Sequence, residues 1–73
     1  MRITYDAQAD ALYIRFANGP AEVITGRLNE DFAVNYAGNR EIVGIEILGA
    51  TQHVFGSGSP PTVVVDNMVA ELA

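Results

Sequence analysis

The chain has no cysteine among its 73 residues. That absence removes disulfides and thiolate metal sites together. With a single histidine, a histidine-based zinc site cannot be built from one chain. Lysine is missing too: four arginines face nine carboxylates, for a net charge of −5. A field of that sign repels phosphate backbones, so no nucleic-acid partner is expected, whereas a basic protein partner would be attracted. No apolar run approaches the roughly 20 residues of a membrane-spanning helix. The N-terminus lacks the basic and apolar stretches of a signal peptide. No membrane partner and a cytoplasmic location are therefore expected. Metal-cluster, dinucleotide-binding and helix-turn-helix patterns are all missing, so no catalytic, cofactor-binding or metal residue is assigned and no cofactor is expected.

What is present is short strand texture. Ile3-Thr4-Tyr5 reads as a first strand, ended by polar Asp6 to Asp10, where Asp6 can close an Asx turn. Ala11 to Phe16 alternates, with Leu12, Ile14 and Phe16 on one face and Tyr13 and Arg15 on the other. Asn18-Gly19-Pro20 is a turn. Glu22 to Leu28 is a third strand, and Phe32 to Tyr36 a fourth. Ala37-Gly38-Asn39-Arg40 is a Gly/Asn turn before Glu41 to Leu48. That last strand places Val43, Ile45 and Ile47 on one face and Ile42 and Leu48 on the other. A strand apolar on both sides belongs at a sheet centre or an interface. Gly44 inside it points to a bulge or a close backbone approach.

The expected fold is mostly β: a small antiparallel meander of about five strands over residues 1–54. A Gly/Ser/Pro connector follows at 55–61, then a docking element at 62–73. There Val63–Val65 is β-prone and Asp66 can cap a short turn of helix through Met68, Val69 and Leu72, or Thr62 to Asp66 forms a sixth strand. One small sheet buries little by itself, and no long amphipathic helix is available to cover it. A homodimer or higher homo-oligomer is the expected support.

Few residues could carry chemistry. Asp6 and Asp10, four apart, could hold a cation or act as an acid/base pair, or simply cap a turn. Glu46 lies between Ile45 and Ile47, where it could act as an acid or pair with Arg15 across the sheet. His53 reads as an exposed or packing residue in a loop whose removal changes stability little. Tyr13, with Tyr5 and Tyr36, could form a binding patch or be ordinary sheet residues. Gly56-Ser57-Gly58-Ser59 lacks the Lys-Ser/Thr ending of a phosphate loop.

Two segments carry a resemblance. ITYDAQADALYIRF looks like the Tyr-Asp…Ala-Asp-Ala-Leu-Tyr-Ile opening of the bacterial family called domain of unknown function 2283. REIVGIEILGAT resembles its closing Val-Gly-Ile-Glu-Ile-Leu-x-Ala-Ser/Thr motif. Where that family places an Asp/Gly turn before the closing strand, this chain has Tyr36-Ala37-Gly38-Asn39. The resemblance implies no activity; it implies at most an antitoxin-like partner role. The reading is an acidic, homo-oligomeric protein-interaction module. The alternative is a small-ligand or metal-binding protein, or a minor enzyme, using carboxylates at a subunit interface.

Overall fold

A computed structural model of the chain describes residues 1–16 and 22–66. Its strands are β1 (Arg2–Asp6), β2 (Ala11–Arg15), β3 (Ile24–Arg27), β4 (Phe32–Tyr36) and β5 (Ile42–Leu48), followed by one π-helical turn, Thr51–Phe55. The five strands form one antiparallel open sheet in the order β1-β2-β5-β4-β3. The expected sequential meander is thus corrected. The longest and most apolar strand, β5, inserts between β2 and β4, the place in the sheet where a strand loses most contact with water.

Turn chemistry sets the hairpins. The Asp6 carboxylate accepts the Gln8 and Ala9 amides at 3.0 and 3.3 Å, and Asp10 closes the turn at φ 51°. Asn29 does the same before β4, accepting the Asp31 and Phe32 amides at 2.8 and 2.9 Å. Between β4 and β5 the left-handed residue is Arg40 (φ 70°), not glycine, and Asn39 accepts the Glu41 amide at 3.1 Å. The expected turn at Asn18-Gly19-Pro20 lies outside the described residues.

Register sorts the side chains onto two faces. On the apolar face the ladders align Tyr5, Leu12, Ile47 and Phe32 in one row, and Ile3, Ile14, Ile45 and Val34 in the next. A bulge then shifts the β4–β5 register, so that Asn35 faces Gly44 but Tyr36 faces Ile42. Val43, the residue left over, is only 5% exposed. The bulge returns Ile42 to the face of Ile45 and Ile47, contrary to strict alternation. A third row therefore holds Ile42, Tyr36 and Ile24.

Among the described residues, the π turn covers the first row and part of the second, where Val34 is 8% exposed but Ile3 37%. Gly49, at φ 65°, turns the chain out of β5, and Gly56, at φ 90°, ends the turn. Leu12, Ile47 and Ala50 are buried beneath it, with Tyr5, Ile14, Phe32, Ile45 and Phe55 packed around them. Phe55, read as the start of the connector, stacks edge-on against Tyr5 at 5.2 Å. Beyond it, Val63–Val65 is neither strand nor helix, and the expected helix from Asp66 falls largely outside the described residues. The radius of gyration is 13.9 Å, against about 11 Å for a compact chain of this length. That excess fits one layer and an extended tail.

Candidate functional site

The β1–β2 turn, the β3–β4 turn and the end of β5 all lie at one end of the sheet. Two acids rise from those two turns and hold the π turn from opposite sides. The first is Asp10. Its Oδ1 accepts the Tyr5 hydroxyl at 2.7 Å, the Thr51 hydroxyl at 2.8 Å and the Thr51 amide at 3.0 Å. The Ala50 amide donates to the Asp10 carbonyl at 2.9 Å. The second is Asp31. Its Oδ2 lies 2.7 Å from His53 Nε2. The His53 ring meets Phe32 edge-on at 5.0 Å and rests on Gly49.

The donors around Asp10, above all the Tyr5 hydroxyl and then Thr51, hold its carboxyl below the usual carboxylate range. The same bond pushes the Tyr5 phenol up, because ionising it removes the proton donated to Asp10 and, to a lesser degree, places two negative charges together. Both shifts have a consequence for stability. A depressed carboxyl contributes stability that is complete above its unfolded value, near pH 4, and is lost as pH falls through the folded one. A raised phenol contributes stability that is complete below about pH 10 and is lost as pH rises further. Asp10→Asn is therefore expected to melt lower than the parent between about pH 4 and 10, and the gap should narrow as acid is added. Melting curves from pH 2 to 9 would show this, and a gap independent of pH would mean that Asp10 does not hold the turn by charge.

Chemically, Asp10 is occupied by protein donors, and Asp6 spends its Oδ1 on its own turn. The two carboxylates do not converge as a pair. His53 lies in the π turn rather than in a loop, and its ring contact with Phe32 fits the packing alternative. His53→Ala should cost about 1 kcal/mol, mostly from the ring contact, since an exposed ion pair adds only a few tenths. Urea unfolding would measure it, and no change would mean the contacts are not formed in solution. The sequence reading missed Asp31 and Thr51. They lie 22 and 41 residues from their partners, and only the β5-central topology brings them in.

The other three candidates sit on the opposite, polar face. Tyr13 pairs with Glu46, and Arg15 with Gly44, so Arg15 and Glu46 are diagonal neighbours across β2 and β5. Thr25 Oγ1 donates to Asn35 Oδ1 at 2.9 Å, and Asn35 Nδ2 donates to the Tyr13 hydroxyl at 3.0 Å. The chain of bonds satisfies the buried Asn35 and lays the Tyr13 ring over Gly44. Tyr5 and Tyr36 face the other way, so the three tyrosines make no common patch. Strand parity also puts Arg2, Arg15 and Arg27 on this face against Asp6 and Glu46, a formal +1 (three cations, two anions). The acidic excess of the chain is carried elsewhere than on this broad face. Among the described residues no group of three or more histidine and carboxylate side chains is placed to hold a metal ion.

The family described as "Protein of unknown function (DUF2283)" matches residues 2–50, which covers all five strands and Ala50 at the start of the π turn. No curated protein and no solved structure matches the chain.

Proposed function

Because the chain belongs to the DUF2283 family, which brings no activity with it, we propose from the geometry that it is a homo-oligomeric protein-interaction module. One observation carries this reading: a single-layer sheet whose apolar face, among the described residues, is covered mainly at one end. Beyond the π turn, Ile42 is 51% exposed and Ile24 66%, with Ile3 and Phe16 also exposed. Water against these side chains costs roughly 25 cal/mol for each Å² of apolar surface, and a second sheet face removes that cost. The two-fold pair is the simplest closed arrangement, since the same face then serves both copies. Asp6, Asp10, Asp31 and His53, held by their own chain, give no comparable support to a ligand site.

Ile3→Asp and Ile42→Asp test the reading. Both side chains are exposed in the single chain, so each variant should keep its β circular dichroism and lose assembly in sedimentation. Variants that fold and still assemble would contradict it.

A further inference from the structure

A hollow of about 440 Å³ lies at the far corner of the apolar face, lined by Ile24, Tyr36, Ala37, Gly38 and Arg40. It borders β3, the edge strand, on whose outer side no described strand pairs. Its lining is Ile24, Tyr36 and Ala37, apolar or aromatic, beside one cationic residue, Arg40. The chain carries a segment of matching chemistry, Thr62-Val63-Val64-Val65-Asp66: three valines followed by a carboxylate. In the single chain that segment joins no strand of the sheet, and its valines are 52, 75 and 58% exposed. Apolar hollow and apolar segment are thus both left in water.

Resting on the self-association proposed above, we propose that residues Thr62–Asp66 of a second copy seat in this hollow. The valines lie along Ile24, Tyr36 and the β3 edge, and the Asp66 carboxylate lies beside Arg40. Two quantities favour a second copy. Even counted as five strands by two whole rows, the incompletely covered part of the apolar face is a flat area of about 300 Å² from ordinary strand spacings. Even doubled for side-chain relief, that falls short of the roughly 800 Å² per partner of a stable pair. Exchanged tails supply the missing area, and a two-fold axis makes the exchange reciprocal. The second quantity is reach. Phe55 is anchored on Tyr5 in β1, at the opposite edge and the opposite end of the sheet. The diagonal to the hollow is about 23 Å from strand spacing and rise. The Ser59 amide donates to the Gly56 carbonyl at 3.1 Å, closing a turn in the connector. With that turn kept, the chain from Phe55 to Val64 extends at most about 28 Å. Reaching its own hollow would need the connector drawn nearly straight across the face.

An extended segment added to a sheet edge gains backbone bonds from the edge and selectivity from the pockets beside it. Arg40, held at φ 70°, is placed by the β4–β5 turn in the lining of the hollow.

Because the chain has no cysteine, single engineered thiols test this cleanly. Gly38→Cys is compatible with the fold: a Cβ there meets nothing within 4 Å, and Gly38 is not left-handed. Val64→Cys sits on an exposed position. Full-length Gly38→Cys and Val64→Cys chains are mixed and treated with a short bismaleimide, and the 38–64 link is identified by peptide mass. The expected result is a link between chains, reduced about threefold by Arg40→Asn, the size of one exposed ion pair. Asn tolerates the left-handed backbone, so this change removes charge without straining the turn. A link untouched by Arg40→Asn would overturn the Asp66–Arg40 pairing. A link within one chain, seen in the doubly substituted protein at high dilution, would overturn the second copy as occupant. No link from a dimeric protein would overturn tail exchange and leave the face pairing standing. No link from a monomeric protein would overturn both.

Discussion

Ile45→Asp is expected to lower the melting temperature by about 15 °C or more, and to leave a partly unfolded or aggregated chain. Ile45 lies mid-face on the central strand, paired with Ile14 on one side and Val34 on the other, and it packs against the core of Leu12, Ile47 and Ala50. A carboxylate there has no cation opposite it on either strand. Losing the apolar contact and desolvating an unpaired charge together cost about 3 kcal/mol or more. A domain of this length has only roughly 4–11 kcal/mol in total. At about 4–8 °C per kcal/mol, the shift is large and easily seen by circular dichroism. Normal melting and unchanged assembly would contradict the burial assigned to this row.

Gly44→Ala is the second large effect. A Cβ at Gly44 would stand 2.7 Å from the Ile14 carbonyl oxygen and 2.7 Å from the Tyr13 hydroxyl. The carbonyl belongs to the β2–β5 ladder and cannot retreat without loosening the sheet centre. The hydroxyl is fixed by Asn35 and cannot move without breaking the bond that satisfies a buried amide. Overpacking of this kind costs about 1–3 kcal/mol. Gly38→Ala is the matched control, with nothing within 4 Å of its Cβ. It should be neutral or stabilise by a few tenths of a kcal/mol, through a less flexible unfolded chain. Equal melting of the two variants would mean that the Tyr13 ring is not seated on Gly44.

Strand texture was legible because alternation and Asx chemistry are local. Phe32–Tyr36 emerges with its expected bounds, and β1, β2, β3 and β5 shift only at their ends. Strand order was not legible. Nothing local tells β5 to pair with β2 rather than end a meander; only the apolar content of both its faces points to the centre. Gly44 did signal a bulge and a close approach, and both occur, but parity alone put Ile42 on the wrong face. The π turn was invisible because five residues show no helical period, and His53 and Phe55 therefore looked like loop. The two staples depend on contacts 22 and 41 residues apart, so Asp31 and Thr51 gave no signal and Asp10 gave only an ambiguous one. Arg40 at a left-handed position went unread because Gly38 and Asn39 beside it are the usual occupants of such turns.

The most direct test of self-association is the light-scattering mass of the full chain during size exclusion, over a dilution series at neutral pH. One chain weighs 7.8 kDa. A mass of twice that or more, falling toward one chain only on strong dilution, is the predicted result. A single-chain mass at every concentration would mean that the open apolar face is not an interface between copies.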